Sequence, residues 1–209
     1  MCKLKSAIAL KDRIFMPDYD SHSDMLKELG INDDYLGASK KFVRVELSPK
    51  DGDPFSDIDK WGLTVDQDIR PDWFDEEECE EKMIAAVKEW AKTHIFVGVD
   101  NLKLNSGSNY YIKDCNDVEI YGSATVKYIY GSATVENIYG SATVKKAYGT
   151  SMICSSVFEW KNKISLILSE NATFKDNIGK VIYQAGDFKL VSVESGKAIS
   201  EAKVGEKIT

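Results

Sequence analysis

A nine-residue segment repeats three times in the second half of the chain and constrains its fold more than any other feature. The units are YGSATVKYI (Tyr121 to Ile129), YGSATVENI (Tyr130 to Ile138) and YGSATVKKA (Tyr139 to Ala147). A partial fourth unit begins at Tyr148, and Asn171 to Phe174 resembles the central Ser-Ala-Thr-Val. A short fixed period is typical of stacked structural units that contact only their neighbours. The repeats therefore predict a parallel β-solenoid, similar to a β-helix.

The stretch Ala-Thr-Val-Lys in each unit alternates between small apolar and polar residues, as a strand with one buried face does. The apolar positions are predicted core residues, namely Ala124, Val126, Ala133, Val135, Ala142 and Val144. The polar positions are predicted to point outward, namely Thr125, Lys127, Thr134, Glu136, Thr143 and Lys145. Gly-Ser forms the turn, where glycine accepts a positive φ. Nine residues cannot close a coil, so a coil takes two units or three, and the small core residues favour two.

Tyrosine recurs at the corner that precedes each glycine, at Tyr121, Tyr130, Tyr139 and Tyr148. In a two-unit coil, alternate tyrosines lie on opposite edges, which predicts two short tyrosine ladders. The rings either pack the corners against each other or offer a rigid aromatic edge to a protein partner.

The sequence pattern of the first half of the chain predicts a small α+β domain. Helix and strand patterns predict two short strands within residues 6–16, a helix over 21–29, strands over 42–47 and 61–65, and a long helix over 71–94. The strand over 42–47 is expected to bury one face. Asp75 and Glu78 form a capping box at the start of the long helix, and its apolar stripe contains Met83, Val87, Trp90 and His94.

These patterns divide the chain into an acidic α+β domain (1–97), a β-solenoid of five or six coils (98–195) and a C-terminal cap or frayed tail (196–209). Residues 1–97 hold 22 acidic against 14 basic residues, and residues 98–209 hold 12 against 13. Direct nucleic-acid binding by such an acidic first half is not expected. There is no membrane-length apolar run and no export signal, so the cysteines are expected to be free and the protein cytoplasmic.

Few residue groups point to catalysis. Asp18, Asp20, His22 and Asp24 alternate in a pattern that could bind a cation, but a helix start with acidic caps is the favoured explanation. Cys79 lies in an acidic helix turn, which is expected to raise its pKa and lower its reactivity. The chain has no nucleophile elbow, phosphate-binding loop or dinucleotide fingerprint. We therefore expect no catalytic residues, no cofactor and no enzyme activity.

The hexapeptide Tyr-Gly-Ser-Ala-Thr-Val and the segment KDRIFMPDYDSHSDMLKELGI (Lys11 to Ile31) carry a resemblance. Together they resemble uncharacterised bacteriophage and prophage proteins of gut bacteria, in which an N-terminal domain also precedes repeats of this type. The resemblance covers most of the chain up to about residue 150. It implies a phage-encoded protein in the cytoplasm of the bacterial host, and it carries no activity or catalytic residues.

These observations favour an interaction protein that binds and inhibits a host macromolecule such as a defence nuclease. One candidate contact is a solenoid face made of Thr125, Lys127, Thr134, Glu136, Tyr139, Thr143 and Lys145. The other is an acidic patch at the start of the long helix, made of Glu76, Glu77, Glu78, Glu80 and Glu81. A structural protein that self-associates through solenoid edges is the alternative, followed by a metal-dependent enzyme in the N-terminal domain.

Overall fold

The computed structural model describes residues 4–32, 41–155, 167–168, 172–176, 181–184, 188–191, 198–202 and 207–208. The chain divides into two compact units, Met1–Ile95 and Phe96–Thr209. The second unit contains a β-solenoid of about four turns, fewer than the five or six coils predicted.

Within its described residues, 4–32 and 41–95, the N-terminal unit contains one antiparallel sheet and two α-helices. The strands are β1 (Lys5–Leu10), β2 (Ile14–Phe15), β3 (Phe42–Ser48) and β4 (Gly62–Val65), in the order β2-β1-β3-β4. The helices are α1 (His22–Glu28) and α2 (Glu76–His94), and a short 3-10 helix covers Ile58–Lys60.

Local sequence signals explain where both helices begin. The Ser21 side chain accepts the Asp24 N–H at the start of α1, and Gly30 follows its end with a φ of +66°. At α2 the Asp75 carboxylate accepts the Glu78 N–H at 2.9 Å, which confirms the predicted cap. The helix begins only at Glu76, so its predicted start at Pro71 is wrong by five residues. Because Asp75 is the cap, the residues before it lie outside the helix.

The sheet of the N-terminal unit is buried on both faces at β3. Val43, Val45 and Leu47 are fully buried on one face, as the alternating pattern predicts. Phe42 and Glu46 on the other face are also buried, so the prediction of a single buried face is wrong. Met25 and Leu26 of α1 pack with Ile8 and Phe42, and these contacts exclude water from the second face.

The described strands within residues 95–176 alternate along the chain between two sheets. The five-stranded sheet contains β5 (Ile95–Val97), β7 (Tyr110–Lys113), β9 (Thr125–Tyr130), β11 (Thr143–Ala147) and β13 (Ile167–Leu168). The seven-stranded sheet contains β6 (Lys103–Leu104), β8 (Val118–Ile120), β10 (Thr134–Ile138), β12 (Met152–Ser155), β14 (Thr173–Asp176), β15 (Val181–Gln184) and β18 (Lys207–Ile208). Strands β16 (Phe188–Val191) and β17 (Ala198–Ala202) form a separate antiparallel pair.

The strand register shows the length of one coil. Thr143 of β11 pairs with Thr125 of β9, and Met152 of β12 pairs with Thr134 of β10. Each partner lies eighteen residues earlier in the chain, as the two-unit coil requires. The parallel pairing continues to β14, whereas β15 and β18 pair antiparallel. Among the described residues, the parallel pairing therefore extends to Asp176, and residues 198–202 and 207–208 form strands.

The solenoid core contains the residues predicted for it and one further residue from each unit. Ala124, Val126, Ala133, Val135, Ala142 and Val144 are all at most 1% exposed. The additional core residues are Ile129, Ile138 and Ala147, at the last position of each unit. Strict alternation misses them because two consecutive outward residues, such as Lys127 and Tyr128, precede each one.

Glycine is required at the corners because successive coils approach closely there. Gly140 and Gly149 have φ values of +78° and +71°. A Cβ atom at Gly140 would lie 3.0 Å from the Gly122 carbonyl oxygen, and one at Gly149 would lie 2.7 Å from that of Gly131. Both the backbone conformation and the space therefore select glycine.

Candidate functional site

The predicted solenoid face is divided between two sheets. Its four residues Thr125, Lys127, Thr143 and Lys145 belong to β9 and β11 of the five-stranded sheet. Thr134 and Glu136 belong to β10 of the seven-stranded sheet, and Tyr139 follows that strand. Because a coil contains two units, successive units contribute to opposite sheets. The prediction of one continuous binding face is therefore wrong, and the two faces need separate descriptions.

The face of the seven-stranded sheet carries acidic and exposed apolar groups. Glu136 is exposed, and Met152 in the neighbouring strand is 42% exposed. Thr134 is held in place because its hydroxyl donates to the Asn116 side-chain oxygen at 3.0 Å. With Asp117, these side chains line a shallow depression. We call the outward residues of β8, β10 and β12, together with Asp117 and Tyr139, the acidic face.

Tyr139 stands at the edge of the acidic face in a fixed orientation. Its ring stacks on Tyr121 with centroids 5.3 Å apart and an interplanar angle of 12°. Its hydroxyl donates to Glu119 at 3.5 Å, and its pKa is raised by partial desolvation and then by the charge of Glu119. Glu119 also pairs with Lys103 at 3.2 Å. Tyr139 remains 41% exposed, so a pre-oriented aromatic ring is available for contact.

A second tyrosine ladder lies beside the five-stranded sheet. Tyr130 stacks on Tyr148 with centroids 4.7 Å apart and an interplanar angle of 15°. The two ladders confirm the predicted stacking of alternate tyrosines. Tyr111 and Tyr128 form a further stack, at 5.6 Å, which the repeat spacing does not predict because Tyr111 precedes the first unit.

Lysine side chains accompany these rings. The Lys127 Nζ atom lies 5.9 Å from the centre of the Tyr111 ring, and the Lys146 Nζ atom lies 5.8 Å from that of Tyr128. A cation at this distance from a ring face is attracted to it. We call the outward residues of β7, β9 and β11, with Tyr148, the basic face.

The predicted acidic patch lies in the first turns of α2, and several of its charges have partners. Glu76 pairs with Arg70, and Glu78 pairs with Lys82 at 2.7 Å, which raises the pKa of Lys82. Glu80 accepts the Leu63 N–H at 3.2 Å. Glu77 and Glu81 are exposed. Because negative charge at a helix N-terminus is favoured by the helix dipole, the patch has a structural explanation in addition to any binding role.

The Cys79 thiol on α2 is poorly suited to nucleophilic chemistry. Burial raises its pKa to about 11, Lys82 opposes that shift, and Glu76 is the first of the nearby carboxylates that add to it. The raised pKa agrees with the sequence-based expectation, although burial is its main cause. Cys79, Cys115 and Cys154 are free cysteines.

The four candidate metal ligands do not form one site. Asp20 pairs with the buried Lys5 at 3.1 Å, Asp18 lies 3.5 Å from the Nε2 atom of His94, and Asp24 is exposed in the first turn of α1. Within the described residues, His22 instead lies near Glu46 and Asp66, with potential ligand atoms within 4.8 Å of one another. The sequence offers no signal for this group, because strand pairing brings its members together.

His22 and His94 are both buried and make short-range contacts. The His22 Nε2 atom lies 3.2 Å from the Val45 carbonyl oxygen, and its Nδ1 atom lies 3.5 Å from Asp66. The His94 ring stacks on Trp90 with centroids 4.6 Å apart, and its Nδ1 atom lies 2.9 Å from the Trp90 carbonyl oxygen. These contacts explain His94 as a packed residue at the end of the apolar stripe.

Among the described residues, no helix is both long and apolar enough to cross a membrane. In comparisons with known proteins, the chain matches no protein-family model, no curated protein and no solved structure.

Proposed function

We propose that this chain is a non-enzymatic, phage-type interaction protein that binds and inhibits a protein of its bacterial host through the acidic face of the solenoid. The observation that carries the proposal is Tyr139, a 41% exposed aromatic ring held by a stack on Tyr121. Aromatic residues and methionine are enriched in protein interfaces, and Met152 is 42% exposed on the same face. Because Tyr139 is already oriented, binding costs little conformational entropy.

The charge of this face favours a basic partner. Glu136 is exposed and lines one depression with Asp117, whereas Glu119 is already paired with Lys103. Complementary charge speeds association and disfavours partners of the same sign. Enzymes that act on nucleic acid carry basic grooves, so a defence nuclease is a natural target for this surface. The resemblance to phage proteins supports the anti-defence role by analogy, and it also supports the bacterial cytoplasm as the compartment.

The acidic patch on α2 supplies a second, longer-range contact in this proposal. Its exposed members Glu77 and Glu81 add negative charge that acts beyond direct contact distance. Its effect is expected mainly in the association rate, whereas Tyr139 and Met152 are expected to control dissociation.

The test is affinity capture of the tagged protein from host lysate, at low salt and at about 0.5 M salt, where exposed charges are screened. We expect one host protein to be retained, and mass spectrometry identifies it. Tyr139→Ala should speed its dissociation, and replacing the five glutamates of the acidic patch with glutamine should slow its association. Thr143→Ala, on the opposite sheet, is the matched control.

Failure to retain a host protein under either condition contradicts the proposal. If a host protein is retained and Tyr139→Ala does not change its dissociation rate, the partner does not bind through the acidic face. If light scattering shows concentration-dependent oligomers and no host protein is retained, self-association through solenoid edges replaces the proposed function.

A further inference from the structure

The seventh residue of the three repeat units alternates in charge along the sequence but not in space. These residues are Lys127, Glu136 and Lys145. Successive units lie in opposite sheets, so both lysines occupy the five-stranded sheet and the glutamate occupies the seven-stranded sheet. The coil length therefore converts alternating charges into two faces of opposite sign.

The strands of the basic face contain hydrogen-bond donors and no acidic residue, and the exposed Asp114 directly follows β7 at its edge. Strands β7, β9 and β11 have the sequences YYIK, TVKYIY and TVKKA, without Asp or Glu. Their exposed or half-buried polar residues are Lys113, Thr125, Lys127, Tyr128, Tyr130, Thr143, Lys145 and Lys146. Lysine, threonine and tyrosine are all residues that contact phosphate oxygens in nucleic-acid complexes.

Two of the lysines repeat in the same position of neighbouring coils. Val126 pairs with Val144 and Tyr128 pairs with Lys146, so Lys127 lies opposite Lys145. Neighbouring strands are about 4.8 Å apart, and like charges directly opposite each other destabilise a sheet. Lys146, adjacent to Lys145 and half-buried, adds a further positive charge.

We propose that the basic face binds single-stranded nucleic acid. Lysine is depleted in protein interfaces, so four lysines in three short strands fit a phosphate chain better than a protein surface. Tyr128, Tyr130 and Tyr148 supply aromatic rings beside those lysines, with ring centroids 4.7 to 6.1 Å apart. A basic surface with aromatic side chains is the usual way to bind single strands without sequence preference.

The dimensions of the face favour a single strand over a duplex. Three strands at about 4.8 Å spacing span only about 10 Å, which is narrow for a duplex but sufficient for a few nucleotides. Sheet surfaces that bear aromatic rings also hold unpaired bases in known RNA-binding domains. The sequence-based expectation against nucleic acid rests on the acidity of residues 1–97, and it does not bear on this face of the solenoid.

Fluorescence anisotropy of labelled oligothymidylate and oligouridylate of about 12 nucleotides, within the usual site sizes, tests the proposal. We expect wild-type protein to bind at low salt with a negative dependence of log affinity on log salt concentration. The double variant Lys127→Gln/Lys145→Gln should bind roughly tenfold more weakly and lose about 0.7 from that slope per lysine. Lys103→Gln removes a lysine from the opposite sheet and should bind like wild type.

Thermal melting of each variant separates lost binding from lost folding. Lys127 and Lys145 lie outside the solenoid core, so the double variant should keep a cooperative melting transition close to that of wild type. Three results overturn the proposal: no binding at low salt, equal binding by the double variant, or equal weakening by Lys103→Gln.

Polyglutamate and a duplex of the same sequence are the competing probes. If either displaces the single strand at equal charge concentration, the face recognises an acidic protein or a duplex instead. The outcome does not depend on the proposed protein partner, which contacts the other face.

Discussion

The solenoid and the N-terminal unit bury their cores in different ways. The solenoid stacks small residues in register, so that Val126 lies beside Val144 and Ile129 beside Ala147. The N-terminal unit instead buries large, individually placed side chains, including Trp61, Phe42 and Met83. It also buries a charge, because Lys5 is 0% exposed and pairs with Asp20.

This difference shows where each unit is sensitive to substitution. In the solenoid, each core position has equivalents in neighbouring coils, and close backbone contact at the corners is the strictest requirement. In the N-terminal unit, each buried group has its own partner, so removing one partner leaves a specific defect. The variants below test this contrast, from the largest expected effect to the smallest.

Val135→Asp should unfold the solenoid. Val135 is 0% exposed, and an unpaired buried carboxylate costs on the order of 3 to 5 kcal/mol, a large part of a domain's stability. Lys145→Asp introduces the same side chain at an exposed position and should change the free energy of unfolding little. Circular dichroism with urea titration measures both. Near-wild-type stability of Val135→Asp would contradict the assignment of the inward face.

Asp20→Ala should destabilise the N-terminal unit by about 3 kcal/mol, because it removes a carboxylate that pairs with the buried Lys5 ammonium. The Lys5 Nζ atom also donates to the Pro17 carbonyl oxygen at 2.5 Å and to Asp20 at 3.1 Å. The double variant Lys5→Met/Asp20→Ala should regain most of the loss, since it buries no charge.

An exposed ion pair serves as the matched control for the buried pair of Lys5 and Asp20. Lys88 and Asp59 are 2.6 Å apart, with side chains 45% and 59% exposed. Asp59→Ala should therefore cost less than about 1 kcal/mol. Equal losses from Asp20→Ala and Asp59→Ala would remove the distinction between buried and exposed pairs on which this prediction depends.

Gly149→Ala should cost about 3 kcal/mol and Gly52→Ala about 1 kcal/mol, because both strain the backbone and only the first also clashes. Gly149 and Gly52 have φ values of +71° and +80°. A Cβ atom at Gly149 would lie 2.7 Å from the Gly131 oxygen, and one at Gly52 has no neighbour within 4 Å. Chemical denaturation compares the two variants. Equal costs would mean that close approach of the coils adds nothing to the requirement for glycine.

The stack of Tyr130 on Tyr148 should make the smallest contribution to the free energy of unfolding. A double-mutant cycle with Tyr130→Leu and Tyr148→Leu should show a coupling of about 1 kcal/mol, because stacked aromatic pairs contribute that much beyond burial. The same cycle on Tyr121 and Tyr130, which belong to different ladders, should show a coupling near zero. Similar couplings in both cycles would show that the rings act through general packing rather than through the observed stacks.

Local sequence patterns predict much of the fold. The alternation of Ala and Val with polar residues identifies six core positions, and all six are buried. The spacing of tyrosine predicts two ladders, and Asp75 predicts the cap of α2. These features depend on contacts within a unit or between equivalent units, so periodicity is sufficient to find them. Ile129, Ile138 and Ala147 escape prediction because paired outward residues interrupt strict alternation.

The candidate surfaces are less predictable from the sequence. Seven residues are expected on one solenoid face, and the structure places them at two sheets. The group of His22, Glu46 and Asp66 has no local pattern at all, because its members come from different elements. Such groupings depend on which strands become neighbours, and a repeat pattern alone does not specify that.

By itself, the sequence determined that the repeat units form stacked coils, that the Ala and Val of each unit point inward, and where glycine and tyrosine mark the corners. The sequence favoured two units per coil but left three open, and the tertiary structure decided for two, which places Lys127 and Lys145 on one face and Glu136 on the other. The physical reason is that side-chain direction follows from the local alternation along a strand. The charge of a face depends instead on which units hydrogen-bond to each other across coils.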